Sequence, residues 1–345
     1  MILTYKIRHN RDFSEELRKA RKIAEFAIQT RSRSSSDVKH IGLKSAIANQ
    51  ILKKYSRNKD CEQVHRVVLS LPSQSVKVDR ADQRILIPCL HLELPYQFRN
   101  DFSKVNQVEI DQDYAYVSVS IPEPPMIEPD HFIGVDRNTT HHCTVVADPS
   151  SGKVWKLGKQ AEHIHKKYKE MRRALQSKGK LRKLKQIKRR ESNKVKDLNH
   201  KVSRKIVDTA KELGCGIKME RLDGIRNNRK HHHNFRYSLH SWGFYQLQQM
   251  VEYKARLSGM PVVYIEPAWT SQQCSRCGLM GNRNGIVFKC PHCGHVEDAN
   301  VNASFNIALR PTTTAIVPWS GFIPRLHIDR DVCKGSTDTP KEALA

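Results

Sequence analysis

The chain has 345 residues, with 60 lysines and arginines against 35 aspartates and glutamates, which gives a formal net charge of +25. This length is enough for roughly two or three domains with ordinary hydrophobic cores. Such an excess of positive charge needs a polyanionic partner, and no apolar run reaches the roughly 18 residues that cross a bilayer, so we expect nucleic acid rather than a membrane. The opening MILTYKIRHN is not a signal peptide. A basic surface of the ribosomal type, without chemistry of its own, is the alternative.

The first third of the chain predicts a strand, two helices and then a run of short strands. Residues 1–10 alternate apolar and polar side chains, whereas apolar residues recur at helical spacing in 14–30 and 42–56. Ser14 is the expected cap of the first helix. Strand-like segments with turn residues between them follow in 64–122. They predict a small β-barrel that carries the two helices as an insert after its first strand.

The proline-rich segment 121–130 indicates a domain boundary, and strands mixed with helices follow it. We predict three strands in 131–158 and a long helical region in 162–213, which residues 177–180 could divide into a hairpin. A strand, a helix, a strand, a cysteine cluster and a last helix complete the chain. Three strands, helix, strand, helix, strand, helix is the element order of the RNase H-like fold, so we expect that fold by analogy.

The helical region 162–213 is strongly basic, with few acidic residues to balance its lysines and arginines. Ion pairs between residues four apart cannot neutralise most of this charge, as they would in a solvated coiled coil. We therefore expect these helices to contact phosphates, with a binding affinity that falls steeply as salt rises. The later segment 227–242 is rich in histidine and is either a metal-binding cluster or, as we favour, a mobile polar loop beside the cleft.

The nine cysteines divide into five scattered residues and one cluster, as in a reduced compartment with one metal site. Cys274, Cys277, Cys290 and Cys293 form two C-x2-C pairs, and a glycine follows each pair. Four thiolates at this spacing are typical of a closed, tetrahedral Zn²⁺ site that folds a ribbon. A redox pair or an iron site is the alternative. We expect the ribbon to grip nucleic acid through basic side chains such as Arg276, Arg283 and Lys289.

Two acidic residues lie where predicted strands end, in apolar surroundings. Asp136 lies in IGVDRN and Glu220 in IKMERL, and each needs a partner that neutralises it. If the two strands are neighbours in one sheet, the carboxylates converge at its edge. Oxygen ligands gathered in this way bind Mg²⁺ and support phosphodiester cleavage. The structural alternative is a pair of salt bridges to the adjacent Arg137 and Arg221.

Several of these segments, taken in order, resemble the TnpB family of compact transposon-encoded proteins, which are related to the type V CRISPR effectors. The segments are GVDRN, IKMERL, PAWTSQQCSRCG, CPHCGH and NVNASFNI. The resemblance runs nearly end to end. It implies an α/β multidomain protein with an RNase H-like (RuvC) domain, an inserted four-Cys zinc ribbon, and a preceding wedge-type β-barrel with a helical insert. The implied ranges are 1–10 and 62–125 for the barrel, 11–61 for the insert, 126–269 and 297–310 for the RuvC-like domain, 270–296 for the ribbon, and 311–345 for an unassigned tail.

The resemblance implies an RNA-guided DNA endonuclease of the prokaryotic cytoplasm, associated with the nucleoid. An omega-type guide RNA from the transposon end would pair with one strand of double-stranded target DNA, beside a short adjacent motif that the barrel and the insert read. The RuvC-like site would cut with Mg²⁺, and the Zn²⁺ would be structural. No membrane partner is expected.

One position departs from the family pattern. The first two family acids correspond to Asp136 and Glu220, and the third falls on Asn300, two residues before Asn302. An amide oxygen can ligate a metal, but it brings no charge, and the affinity of such sites follows charge. The asparagine is an introduced substitution, a natural inactivation, or a change that Asp298 offsets; the last requires extended backbone, because residues two apart on a helix point to different faces.

We therefore expect a chain that binds guide RNA and DNA but cleaves DNA poorly or not at all. A non-cutting, RNA-guided DNA-binding protein that represses by occupancy is the first alternative. A guide-free DNA-binding accessory of transposition is the second.

Overall fold

The computed structural model describes residues 1–58, 60–138, 141–222 and 243–311, which fall into two compact units. The first unit is Met1–Pro122, and the second begins at Glu123. The predictions for the loop 227–242 and for the tail beyond residue 311 lie outside the described residues. Within the described ranges, no helix combines the length and the apolar character needed to span a membrane.

The first unit contains two antiparallel sheets. Its strands are β1 (Ile2–Arg8), β2 (Leu69–Pro72), β3 (Lys77–Asp79), β4 (Arg84–Ile87), β5 (Leu92–Pro95), β6 (Lys104–Ile110) and β7 (Tyr114–Ser120). One sheet has the order β1–β7–β6–β2 and the other the order β3–β4–β5. The first strand of the unit therefore pairs with its last strand along their full length. The predicted strands are present, and their closure into a barrel stays a prediction.

Two α-helices and a short 3₁₀ helix lie between β1 and β2 along the chain. They are α1 (Ser14–Thr30), the 3₁₀ helix (Ser35–Ile41) and α2 (Ser45–Ser56). Alanines and an isoleucine at helical spacing form the buried face of α1: Ala20, Ile23, Ala24 and Ala27. The prediction that Ser14 caps α1 is wrong, because Ser14 is itself the first helical residue and Phe13 occupies the cap position. The carboxylate of Asp12 accepts the Ser14 N–H instead.

The second unit is built around a mixed five-stranded sheet. Its strands are β8 (Phe132–Arg137), β9 (Thr144–Ala147), β10 (Val154–Leu157), β11 (Gly216–Glu220) and β12 (Val262–Ile265). They lie in the order β10–β9–β8–β11–β12. The first three strands form an antiparallel meander, whereas β11 runs parallel to both β8 and β12. The central strands β8 and β11 are covered on both faces, which explains their nearly continuous apolar sequences.

Within the described part of this unit, four helices accompany the sheet: α3 (Gln160–Ser177), α4 (Leu181–Leu213), α5 (Phe244–Leu257) and α6 (Ala299–Leu309). The break predicted at residues 177–180 is confirmed, because α3 ends and α4 begins there. Alternate strand residues such as Val135 and Met219 share a core with Ile206 of α4 and Val251 of α5. Successive side chains of a strand point to opposite faces, so the residues between them face the other side, where α6 packs.

A small antiparallel sheet lies within the cysteine-rich segment. Its strands are β13 (Asn282–Asn284), β14 (Val287–Lys289) and β15 (Val296–Asp298), in that order. The side chain of Phe288 is fully buried and forms a small core with Cys274, Cys290 and Ala299. Since Ala299 is the first residue of α6, this core joins the small sheet to the start of the last helix.

Candidate active site and metal centre

The parallel pairing of β8 with β11 brings the two predicted acids together. Val135 lies opposite Met219, so Asp136 and Glu220 come next on adjacent strands, which are about 4.8 Å apart in any sheet. Asp136 is only 7% exposed. Glu220 is the last residue of β11 and Asp136 the last but one of β8, so the parallel pairing of these strands places both carboxylates at one end of the sheet.

The helix α6 reaches the same place because Gly134 has no side chain. A Cβ atom at Gly134 would lie 2.0 Å from the carbonyl oxygen of Ser304 and 2.5 Å from the amide nitrogen of Ala308. Asn300 lies one helical turn before Ser304, hence on the same face of α6, and it is 6% exposed. Asp136, two residues after Gly134, lies on the same face of the sheet. The close packing at Gly134 thus brings α6 against the strand that carries Asp136.

Both carboxylates are in surroundings that disfavour their charge. Burial raises the pKa of Asp136 to about 7; the negative charge of Glu220 adds to the rise, and a hydrogen bond from Asn138 opposes it. Burial also raises the pKa of Glu220, against a hydrogen bond from Thr270. Asn138 Nδ2 lies 2.9 Å from Asp136 Oδ2, and Thr270 Oγ1 lies 2.5 Å from Glu220 Oε1. Two buried carboxylates that repel each other are the arrangement that a bound cation stabilises.

A guanidinium group links all three predicted positions. Arg283 of β13 donates from Nη2 to Asn300 Oδ1 at 3.4 Å. Its positive charge also acts on both carboxylates, where it opposes the larger effect of burial on the pKa of Asp136 and of Glu220. The expectation that Arg283 grips nucleic acid stays a prediction, and the structure adds a contact with Asn300. Sequence reasoning missed this contact because nothing in the ribbon indicates which of its basic residues reaches Asn300.

The side chain of Arg137 does not form the salt bridge with Asp136 that was the alternative to a metal site. Its guanidinium donates to Gln248 Oε1 at 2.8 Å and to the backbone oxygen of Glu220 at 2.5 Å. It therefore fixes the end of β11 against α5. Its positive charge nevertheless opposes the larger effect of burial on the pKa of Glu220 and of Asp136.

Asp298 is engaged away from the acid pair. It is the N-cap of α6, where its Oδ1 accepts the N–H of Asn300 at 2.9 Å. Its Oδ2 accepts from Lys156 Nζ at 2.8 Å. Asp298 is the last residue of β15 and the helix begins at Ala299, so the carboxylate of Asp298 lies at the strand–helix junction, where Lys156 and the N–H of Asn300 engage it.

The four cysteines predicted as zinc ligands lie together. Their Sγ atoms are all within 4.8 Å of one another, with 3.6 Å between Cys274 and Cys293 and 3.5 Å between Cys277 and Cys290. A tetrahedral zinc ion with sulfur ligands at about 2.3 Å needs sulfurs ~3.8 Å apart. The cluster is therefore compatible with zinc, and its four sulfurs complete the coordination without a histidine.

A glycine closes each cysteine knuckle, as the sequence predicted. Gly278 and Gly294 have φ of +74° and +71°, in the left-handed region that favours glycine. Their amides donate to the carbonyl oxygens of Cys274 and Cys290, at 2.9 and 3.1 Å. Each turn therefore closes on the first cysteine of its pair and directs both thiols inward.

Two asparagines of α6 tie the first knuckle to the acidic site. Sequence reasoning used Asn302 only to locate position 300 and missed this role of Asn302 and Asn306. Asn302 accepts from the amide of Ser275 at 2.9 Å and donates to the carbonyl oxygen of Gln273 at 2.7 Å. Asn306 donates to the carbonyl oxygen of Thr270 at 2.8 Å. The sequence offered one indication of this role, namely the spacing of the two asparagines. Residues four apart lie on one face of a helix, and amides buried there need hydrogen-bond partners. They hold Thr270, and through it Glu220, in register with the cysteine cluster.

The described part of the second unit is thus a mixed α/β arrangement with a buried pair of acids and a four-cysteine cluster, and its sequence is similar to known proteins. Residues 244–307 match the family described as Cas12f1-like, TNB domain. A TnpB-like protein of Methanocaldococcus jannaschii is 32% identical over 225 residues, which are 61% of this chain and 80% of that protein. The chain belongs to the TnpB-like family.

Two further comparisons come from CRISPR-associated proteins. The endodeoxyribonuclease Cas12f1 of Sulfoacidibacillus thermotolerans is 45% identical over 115 residues, which are 32% of this chain and 26% of that protein. The chain thus matches about a quarter of its length. A cryo-EM structure of a Cas12f1–sgRNA–target DNA complex has a TM-score of 0.45 and 18% identity, and the match covers 90% of this chain and 99% of that one.

Proposed function

We propose that this chain is an RNA-guided DNA-binding protein of the TnpB type, built on an RNase H-like (RuvC) nuclease domain that cleaves DNA weakly or not at all. The observation that carries the proposal is the meeting of Asp136 and Glu220 at one end of the sheet, with Asn300 of α6 where the family has its third acid. Family membership supports the nuclease scaffold. The amide at position 300 supports the loss of cleavage.

The residues at the site fit a divalent cation, though with one anion fewer than the family pattern. Asp136 and Glu220 would supply carboxylate oxygens, and Asn300 would supply an amide oxygen. Divalent ions such as Mg²⁺ would stabilise the attacking and leaving oxygens during phosphodiester cleavage. The affinity of such sites follows the charge of their ligands, so a neutral ligand weakens the hold on the ion. Arg283, which contacts Asn300, adds positive charge and opposes cation binding further.

The neighbouring side chains orient the two carboxylates rather than react. The hydroxyl of Thr270 holds Glu220 from one side, and the amide of Asn138 holds Asp136 from the other. Each donor occupies one oxygen and leaves the second available. Asp298, which is bonded to Asn300 N–H and to Lys156, adds no charge to this pair.

The distribution of positive charge supports a guide RNA and double-stranded DNA as partners. The first turns of α4 present exposed basic side chains: Arg182, Lys183, Lys185, Lys188, Arg189 and Arg190. Such a row contacts phosphates without reading bases, which suits a protein whose target choice comes from base pairing. We place the amino-terminal unit at the motif beside the target, the four-Cys cluster on a structural Zn²⁺, and the complex at the prokaryotic nucleoid.

Cleavage of a guide-matched DNA in Mg²⁺ tests the proposal. The unaltered chain should cut weakly or not at all, and Asn300→Asp should raise the rate by about tenfold or more, because an added anion strengthens divalent binding. Asn300→Asp combined with Asp136→Asn is the matched control and should remain inactive. Robust cutting by the unaltered chain, unchanged by Asp298→Ala, would contradict the proposal.

A purely binding role, repression by occupancy, is the second candidate, and the contact between Arg283 and Asn300 favours it. Both guided roles require bound RNA. The absorbance of the purified protein at 260 and 280 nm, followed by sequencing of any RNA it carries, separates them from a guide-free accessory of transposition. Protein that binds DNA tightly but carries no RNA would support the guide-free role instead.

A further inference from the structure

Trp269 is a solvent-exposed aromatic residue next to the acidic site. Its side chain is 62% exposed, and its φ of +65° lies in the left-handed region that bulky residues rarely adopt. The following residue, Thr270, donates its hydroxyl hydrogen bond to Glu220. Backbone strain of this kind gathers at functional sites, where the surrounding structure imposes it. The exposed indole of Trp269, in a strained turn and directly before the residue that hydrogen-bonds Glu220, is therefore a candidate contact for a ligand.

The turn that carries Trp269 is held in place by backbone contacts. Arg310 donates from Nη1 to the carbonyl oxygens of Glu266 and Ala268, at 2.5 and 2.9 Å. The carbonyl oxygen of Trp269 itself accepts from the amides of residues 272–273, at 3.0 and 2.9 Å. The indole is thus presented on a fixed support, which reduces the entropy lost when a ligand packs on it.

The charged residues near Trp269 indicate which kind of ligand it would bind. Arg283 and Arg310 bring positive charge to this end of the sheet, where both act on Glu220. A group that stacks on an aromatic face while its backbone carries negative charge is a base of a single-stranded nucleic acid. We infer that Trp269 stacks on a base of single-stranded DNA whose phosphate backbone reaches Asp136 and Glu220. This inference deepens the proposed function and rests on it for the identity of the strand.

Stacking of this kind is tolerant of sequence, because every base has a flat face. Trp269 would therefore position any strand at the acid pair, leaving target choice to base pairing. The residue acts on binding and on the register of the phosphate relative to the acids. It does not touch the reacting atoms and is a positioning residue.

The test compares a short oligothymidylate with an oligonucleotide of equal length that has abasic sites, using the full chain, no target duplex and fluorescence anisotropy. Trp269→Ala should weaken binding of the oligothymidylate by about tenfold, the usual effect of losing one stacked base, and leave binding of the abasic strand unchanged. Trp269→Phe should retain most of the affinity, whereas Trp269→Leu, apolar but without a ring, should lose it. Leu279→Ala, an exposed apolar residue of the ribbon, is the control and should leave both affinities unchanged.

Several results would overturn the inference. These are equal binding by Trp269→Ala and the unaltered chain, an equal loss on the abasic strand, and equal affinities for the Leu and Phe variants. A loss confined to oligouridylate in a parallel measurement would assign the indole to RNA and also overturn it. Because the assay uses no guide, a chain that carries no RNA would refute the proposed function without altering this result.

Discussion

The four-cysteine cluster and the acidic site lie in the same unit but are built in opposite ways. The cluster takes all its ligands from residues 274–293, through two turns that each close on themselves. The acidic site takes Asp136, Glu220 and Asn300 from three distant segments, which meet only because β8 pairs with β11 and α6 packs at Gly134. When all the residues of a site lie close together in the chain, the sequence alone identifies the whole set. A set drawn from distant segments depends on every packing contact between those segments.

The two regions are nevertheless joined. Asn302 and Asn306 hold the first knuckle against α6, and Thr270, which precedes that knuckle, holds Glu220. Disturbing the cluster should therefore disturb the acids, whereas changes at the acids should leave the cluster intact. This asymmetry is expected if the cluster is a structural metal site that supports the acidic site.

The largest effect is expected from losing one ligand of the cluster. Cys290→Ser should abolish the zinc content of the purified protein and unfold the small sheet, because a structural zinc site contributes on the order of 10 kcal/mol. Metal analysis by mass spectrometry measures it. Cys89→Ser, which removes a cysteine outside the cluster, should retain the zinc. Full zinc occupancy in the Cys290→Ser protein would contradict the assignment.

The acid pair should make stability depend on pH in buffer without Mg²⁺. The folded state keeps a proton on Asp136 up to about pH 7, whereas the unfolded chain releases it near pH 4. The contribution of this residue is therefore present below about pH 4 and is lost as the pH rises through about 7, up to about 4 kcal/mol in all.

Chemical denaturation at pH 5 to 8 checks this pH dependence. Asp136→Asn should remove most of the slope, and Mg²⁺ should stabilise the unaltered protein more at pH 8 than at pH 6, because protons then compete less for the carboxylates. Identical pH profiles for the two proteins would show that Asp136 is not held as the structure indicates.

Disrupting the close packing at Gly134 should lower the free energy of unfolding nearly as much. Gly134→Ala places a methyl group against the backbone of α6, which cannot rotate away, so we expect a loss of about 3 kcal/mol in the free energy of unfolding. Gly152→Ala is the matched control: its φ is +70° but nothing lies within 4 Å of the added atom, so it should cost only about 1 kcal/mol. Equal losses in urea denaturation would mean that α6 does not need this contact.

The smallest expected effect tests whether Asp298 acts as a helix cap or as a metal ligand. Asp298→Ala should cost about 1 kcal/mol, because α6 loses its N-cap, and should leave the affinity for Mg²⁺ unchanged. Asp298→Asn keeps a capping oxygen and should cost less. Calorimetric titration with Mg²⁺ decides the matter. A loss of affinity as large as that of Asp136→Asn would show that Asp298 is a ligand after all.

Much of the fold was predictable because its signals are local. The helix at 14–30 follows from apolar residues at helical spacing, and the break between α3 and α4 from the residues at 177–180. The cap of α1 was not predictable. A serine at the start of a helical pattern is as suitable for the first turn as for the cap, and the backbone of Phe13 and the carboxylate of Asp12 decide between them.

The sequence by itself determined the four clustered cysteines and the two acids, because these are a matter of residue type and short spacing. That Asn300 stands where a third acid is expected follows from the resemblance to the TnpB family. Only the tertiary structure decided that Arg283 turns toward Asn300, that Thr270 holds Glu220, and that Trp269 stays exposed in a strained turn. The physical reason is that such contacts join segments far apart in the chain, and their geometry is set by strand register and by the approach of α6.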